Sequence, residues 1–355
     1  MVPAPSRRPG RNNLEDVRKK LPWRGPTVSE IAKVAGVGSA TVDRVLNNRP
    51  GVSEKTRQRV QNAFEKLATE RGAVERLLNL KLYCDSGASF NGLMEAAVDR
   101  INRTLPGIQI DGHYVSTHQM DPIPFARKIE DEGFDADGVI VIAREHPAIN
   151  RAVRKLVGSD RPVVTLTTDL PSSRRSAYIG NNQYAAGSVA AQLIGQILPE
   201  KRNNILLMMS VPFRSQQERE MGFRRVLRSE FPYLKIEERV TSDDSTETTR
   251  EQLAAYIDTH GCPAAIYNVA GANRGVAEAL EAFGKTHETI FVGHELTPYS
   301  RALLESGVMD YVISHDFVAE VTTAAEWLRS HVSGTEISEP AETQISIHTR
   351  YNCGP

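Results

Sequence analysis

The chain has 355 residues, 40% apolar and 25% charged, an ordinary composition for a water-exposed protein with one large or two to three small cores. No apolar run approaches the roughly 20 residues of a membrane span, and the opening MVPAPSRRPGRNNLEDVRKK lacks the apolar centre of a secretory leader. The net charge of −1 hides an asymmetry: residues 1–76 carry 16 Lys and Arg against 8 Asp and Glu, and the remainder 27 against 36. A small basic head on a large acidic body fits a polyanionic partner for the head, or a basic disordered tail, since several of these charges precede Pro26.

Residues 1–25 are rich in Pro, Arg and Asn and are expected to form a disordered basic extension. From Thr27, TVSEIAKVA opens with a T-x-x-E capping box and places Ile31, Val34 and Ala35 at helical spacing, predicting a helix to about Ala35. The following GVGSAT is nearly a G-x-G-x-x-G phosphate loop, but such a loop must follow a buried strand, and its sixth position here is Thr41. A dinucleotide site is therefore excluded. Gly36-Val37-Gly38 instead reads as a tight turn into a second helix, about 39–46, with Val42, Val45 and Leu46 inward. Asn47 to Gly51 form a loop, and Ser53 caps a third helix with a stripe of Val60, Ala63, Phe64 and Leu67. Two short helices across a three-residue turn, braced by a third, have helix-turn-helix geometry.

TVSEIAKVAGVGSATVDRVLNN, followed by GVSEKTRQRV, resembles the DNA-binding head of the lactose-repressor (LacI/GalR) family of bacterial regulators almost throughout. The resemblance implies that residues 26–70 are the head and that the recognition helix presents Ser39, Ala40 and Arg44 to base edges. Arg can bond guanine bidentately and the Ala methyl can touch a thymine methyl; the alternative for Ser39 and Ala40 is that small residues merely fit the turn. Thr41, Asn47 and the backbone near Ser53 are expected on phosphates, and Thr27 is counted among the DNA-binding residues. Asp43 departs from the pattern and is expected to face away or to pair with a Lys or Arg. Residues 71–79 are expected to link head to body. The family's aromatic-x-Pro-Asn segment is absent there, so a minor-groove hinge using Val74, Arg76 and Leu78 and a plain helical linker both stay open.

Residues 80–355 alternate short apolar stretches (NLKLYCD, GIQIDGHYV, GVIVIA, PVVTLTT, NILLMMS, AAIYNVA, TIFVGHE) with amphipathic helices. Strand-helix alternation implies parallel sheets, and the length calls for two of them. RPVVTLTTDLP, YIGNNQYAAGSVAAQLI, QQEREMGF, IFVGHE and VISHD, in that order, resemble the ligand-binding half of the same family and periplasmic sugar-binding proteins. The fold implied is a small all-α helix-turn-helix head followed by a two-lobe α/β periplasmic-binding-protein-like body. The chain is expected to cross between lobes near 179–181, 312–314 and 339–344, with a ligand bound between the lobes.

Residues at strand ends are then the candidates for ligand binding: Ser86, Ser89, Phe90 and Asn91; Arg144 at the rim; Thr168; Arg219; Asn268, Gly271 and Asn273; Glu295; and His315. Phe90 suits an apolar sugar face, and the polar groups suit hydroxyls. Thr168 stands where relatives often carry Arg, Glu295 where they carry Asp, and His315 where they often carry Gln; a structural role for His315 stays open. Arg219 and Glu295 are expected to grip opposite sides of one ligand, buried only when the lobes close. Cys84, Cys262 and Cys353 have no C-x-x-C spacing, which suggests a reducing compartment and neither disulfide framework nor metal. No nucleophile-base motif appears, so no catalytic residue and no cofactor is expected. The expectation is a cytoplasmic homodimeric regulator, a repressor of double-stranded operator DNA switched by a small carbohydrate-like effector. The alternative is a sugar-binding protein or carbohydrate enzyme on the same fold.

Overall fold

The computed structural model describes residues 26–46, 49–70, 77–201, 204–335 and 337–354. The expectations for residues 1–25, Asn47, Val74 and Arg76 fall outside them. The chain divides into two compact units, up to Arg76 and from Leu77 onward.

In the first unit three helices follow one another: α1 (Val28–Ala35), α2 (Ser39–Leu46) and α3 (Glu54–Glu70). The capping box forms as the sequence dictates: the Glu30 amide donates to Thr27 Oγ1 at 3.4 Å, and the Thr27 amide donates to Glu30 Oε2 at 2.8 Å. Gly36 ends α1 in the left-handed region at φ 62°, where a glycine carries no side-chain penalty. The Arg59 guanidinium caps the same end from α3, donating to the Ala35 carbonyl at 2.6 Å. Ile31, Ala32, Ala35, Val42, Val45, Val60 and Ala63 close the core. Val34 and Leu46 were expected inward but are exposed, because Ile31 with Ala35, and Val42 with Val45, already fill the narrow faces that such short helices can bury.

The second unit holds two parallel-sheet lobes. Lobe one is built from β1 (Leu78–Ser86), α4 (Ala88–Thr104), β2 (Ile108–Ser116), α5 (Pro122–Gly133), β3 (Gly138–Ile142), α6 (Pro147–Val157), β4 (Val163–Leu166) and β5 (Ala177–Ile179). Its sheet runs β2-β1-β3-β4-β5, all parallel. Leu78 is therefore not a linker residue. It opens β1, pairs with Ile108 and is buried in the core of lobe one, which overturns its expected contact with DNA.

Lobe two follows with α7 (Gln183–Ile197), β6 (Asn204–Met209), α8 (Arg214–Glu230), β7 (Lys235–Thr241), α9 (Thr246–His260), β8 (Ala265–Asn268), α10 (Asn273–Ala282), β9 (Ile290–His294), α11 (Pro298–Ser306) and β10 (Tyr311–Ser314). The chain then forms α12 (Phe317–Val332) and ends with β11 (Ser346–His348), which pairs antiparallel with β10. The second sheet is ordered β11-β10-β9-β8-β6-β7.

The chain passes between lobes three times: β5 to α7, β10 to α12, and α12 to β11. At the first and third passages Asn181 bridges Thr343, and the Thr343 amide donates to the Gly180 carbonyl at 3.0 Å. Because of the passages, α12 packs its Phe317, Val321, Ala324, Ala325 and Leu328 on the first sheet, while α7 packs Ala186, Ala190 and Ile194 on the second.

Candidate functional site

On the head, Val42 and Val45 turn one face of α2 inward, which leaves Ser39, Ala40 and Arg44 exposed on the other. Ala40 and Arg44, four residues apart, are neighbours on that face. Asp43 lies between them and is neutralised by Arg49, whose Nη1 stands 3.0 Å from Asp43 Oδ2. Thr41 is half-buried at the flank, and Ser53 Oγ accepts the Thr56 amide at the start of α3.

In the body, a cleft opens where the carboxyl ends of the two sheets meet. Helices α4, α8 and α10 point their first turns into it from Gly87, Phe213 and Ala272, and none of the three has a side-chain cap. By contrast α5, α6, α7, α9 and α12 are capped by Asp121, His146, Asn182, Ser245 and Asp316. Helix-start amides without a side-chain cap can donate to ligand oxygens, although the Ser215 amide of α8 is already engaged by Thr168 Oγ1. Four non-glycine residues of the wall, Thr167, Asp244, Ala272 and Glu295, have φ between 56° and 67°. Each follows a strand end, where the left-handed turn aims the next residues into the cleft at a cost of about 1 kcal/mol or more apiece.

Arg219 reaches the wall because two helices touch backbone to backbone. A Cβ on Gly187 of α7 would lie 1.9 Å from the Arg219 carbonyl oxygen, and one on Gly222 of α8 would lie 2.0 Å from that of Tyr184. One turn beyond Arg219, Phe223 packs at a tilt against Tyr267 of β8, with ring centroids 4.5 Å apart, and fixes the helix on the sheet. The guanidinium then donates from Nε to Gln183 Oε1 at 2.7 Å, from Nη1 to the Val269 carbonyl at 3.2 Å and from Nη2 to Glu295 Oε1 at 3.3 Å. Behind Glu295 stands His315, with Nε2 3.5 Å from Glu295 Oε2 and Nδ1 2.8 Å from Glu320 Oε1.

Burial pushes the His315 imidazole down, but Glu320 and Glu295 outweigh it and raise its pKa to about 10. Burial pushes the Glu295 carboxyl up, but His315 and Arg219 together hold it below the usual range. Across the cleft Asp85 is clamped by Arg144, Nε to Oδ2 at 2.8 Å and Nη2 to Oδ1 at 3.1 Å. Asp244 accepts from the Gly271 amide and the Ser210 hydroxyl, and burial nevertheless pushes its carboxyl upward, toward the neutral form. The lobes meet where the Ser215 amide donates to Thr168 Oγ1 at 3.3 Å and Gln183 Nε2 donates to the Thr167 carbonyl at 3.0 Å, and Gly87 lies close to the Asp244 side chain.

Residues 27–68 match the family described as bacterial regulatory proteins, lacI family, and residues 91–336 match periplasmic binding protein domain. The body, which makes up most of the chain, belongs to the periplasmic binding protein domain family, and the head in front of it is of the lacI type. The transcriptional regulator TreR of Salmonella typhimurium strain LT2 is 60% identical over 35 residues, 10% of this chain and 11% of that protein. GalR of Escherichia coli K12 is 35% identical over 82 residues, 21% of this chain and 24% of that protein. These matches span less than a quarter of the relatives' length. The body resembles GanP, a glucose-galactose binding protein from Geobacillus stearothermophilus, with a TM-score of 0.69 at 21% identity over 78% of this chain and 99% of that one. It also resembles a solute-binding protein from Burkholderia graminis solved with D-arabinose, TM-score 0.68 at 20% identity over 78% and 97%. At these identities the likeness establishes the fold.

Of the ligand residues expected in this body, Ser86, Ser89, Phe90, Thr168, Arg219, Gly271, Asn273 and Glu295 line the cleft. Four do not. The Asn91 amide ties Ser86 to Val115 through their carbonyls. Asn268 Nδ2 donates to the Gly271 carbonyl and to Asn273 Oδ1, shaping the loop before α10. Arg144 acts on Asp85, and His315 lies behind Glu295. Arg219 and Glu295 do not flank a space between them, as expected, but pair directly on the lobe-two wall, and both are buried. The lining residues that the sequence reading missed include Asp85, Thr167, Ser215, Gln216 and Asp244. Asp85 directly precedes the first polar residue credited, and Asp244 follows β7, whose KIEERVT has no apolar run to announce a strand.

Proposed function

We propose that this chain is a sequence-specific DNA-binding regulator, a repressor acting as a cytoplasmic homodimer, whose operator affinity is set by a neutral carbohydrate or polyol held between the lobes. The observation that carries the reading is one polypeptide joining a lacI-type head, with Ser39, Ala40 and Arg44 presented outward, to a cleft of polar strand ends and uncapped helix starts. Charge in the cleft favours a neutral ligand. Asp85 is matched by Arg144, and Glu295 by Arg219 and His315, while Asp244 is shifted toward its neutral form. A charged group would have to displace one of these partners and leave a buried charge unpaired. Phe90 and Phe213 offer apolar surfaces for the carbon face of a sugar.

The test is a thermal-shift screen of the full chain against D-glucose, D-galactose, D-arabinose and D-fructose, alongside their acid and phosphate derivatives. It is followed by fluorescence-anisotropy titration of operator DNA with and without the compound that binds. A neutral sugar at a hundred times its Kd should stabilise the protein by about 2.7 kcal/mol and change operator affinity. Stabilisation by a sugar with no effect on DNA would make the chain a binding protein and not a regulator. A preference for the charged derivatives would overturn the ligand class.

A further inference from the structure

Glu320 is a charged residue with no exposure at all, on the apolar face of α12, and nothing in the cleft accounts for it. Its Oε2 accepts the hydroxyl of Thr167, at the end of β4, at 2.9 Å. Its Oε1 accepts the Thr343 hydroxyl at 2.7 Å, in the third passage between lobes, and stands 2.8 Å from His315 Nδ1, in the second. The first passage joins by the other end. Gln183 Nε2 donates to Asn181 Oδ1 at 2.5 Å and to the Thr167 carbonyl at 3.0 Å, while its Oε1 accepts from Arg219. One continuous set of polar contacts therefore runs from Arg219 and Glu295, in the cleft wall, to all three passages.

Its charges alternate and cancel: Arg219 and His315 are cations, Glu295 and Glu320 anions. Buried ions so arranged are costly to separate, since moving any one leaves another unpaired. The network consequently favours discrete arrangements over gradual deformation. Resting on the reading of the cleft given above, we propose that His315 and Glu320 relay the state of Glu295 to the three inter-lobe passages, so that lobe angle and cleft occupancy change together. Neither residue lines the cleft.

The first test needs no ligand. Hydrogen exchange of the full chain is followed at residues 340–345 in Glu295→Gln and at residues 295–297 in Thr343→Val. Each substitution lies at one end of the network and is read at the other. The Thr343 amide, which donates to Gly180, should exchange about tenfold faster in Glu295→Gln, a coupling of ordinary allosteric size. Exchange that rises only beside the substituted residue in both variants would overturn the relay. Should Glu295→Gln fail to fold, Thr343→Val, which removes one hydroxyl, decides alone.

The second test uses whichever of the four sugars above binds the wild type. Glu320→Gln and Thr343→Val should keep its affinity, by calorimetry, within a fewfold of wild type, and lose most of the sugar's effect on operator binding. Nuclear magnetic resonance should show the His315 ring titrating at lower pH in Glu320→Gln, with Glu295 and His294 at the end of β9 and Arg219 on α8 as the remaining titratable or charged groups around it. A full operator response in both variants, or loss of sugar affinity itself, would overturn the inference while leaving the cleft reading intact. If no sugar binds the wild type, it is the cleft reading that fails, and the exchange experiment still decides the relay.

Discussion

An exposed histidine is mostly uncharged at neutral pH. His315 differs because two carboxylates face its two nitrogens in a buried setting, and the consequence is a stability that depends on pH in a definite direction. Its pKa is raised to about 10 in the folded chain, so its stabilising contribution is complete below the unfolded value of about 6.5 and is lost as pH rises through 10. His294 behaves oppositely: burial, Arg219 and His315 hold it neutral well below its ordinary range, so folding loses stability as pH falls beneath about 6.5. The melting temperature should therefore peak near pH 6–7 and fall toward pH 10. In Glu320→Gln the alkaline decline should be shallower, because His315 then has less charge stabilisation to lose. Scanning fluorimetry across pH 5–10 measures both slopes, and parallel alkaline limbs in the two proteins would contradict the assignment. On the head, Arg44→Ala should cost about 1–3 kcal/mol on the cognate operator and little on random DNA. Equal losses on both, by gel-shift titration, would make Arg44 a phosphate contact.

Among the elements, α7 and α8 show how a residue can be visible in sequence while its geometry is not. Arg219 stands in QQEREMGF, and its helix carries a buried face at helical spacing through Gln216, Arg219, Phe223 and Leu227. Nothing in that spacing says that Glu295 would be its partner, because pairing across 76 residues depends on how closely two helices pack. The closeness rests on Gly187 and Gly222. Gly187→Ala should destabilise the body by at least about 2 kcal/mol, since the added methyl meets backbone that cannot swing aside. Gly92→Ala, where no atom lies within 4 Å of the added carbon, should not, and urea denaturation distinguishes them. The strands read from apolar runs are present, whereas β5, β7, β10 and β11 were missed. Of these β5, β7 and β11 are edge strands, where one side faces no neighbour and polar residues suffice, and β10 is only four residues long. Glu320 was legible in principle: it sits in phase with Phe317, Ala324 and Leu328, and a charge on an apolar stripe marks a buried partner. The turns that aim Thr167, Asp244, Ala272 and Glu295 were not legible, because left-handed backbone at non-glycine residues is imposed by the surrounding fold.

At the scale of the molecule, the three passages make each lobe discontinuous in sequence. Lobe one takes residues from 77 to 179 and then waits for α12, whose Val321, Ala324, Ala325 and Leu328 complete its core. Lobe two, from α7 to β10, lacks only the edge strand β11. On the ribosome this inverts the customary order, in which the portion made first folds first. The earlier-made lobe must hold an open apolar face while some 135 further residues, from 180 to 316, are added, and the later-made lobe is nearly self-sufficient before its neighbour can close. Chains stalled after Ser314 should accordingly give a protease-resistant fragment from lobe two, while residues 77–179 are digested. Resistance of 77–179 at that length would mean that the first sheet is stable without α12. The same exposed interval makes lobe one the place where a nascent chain is most open to chaperones and to aggregation, a vulnerability of synthesis built into the topology that joins the lobes.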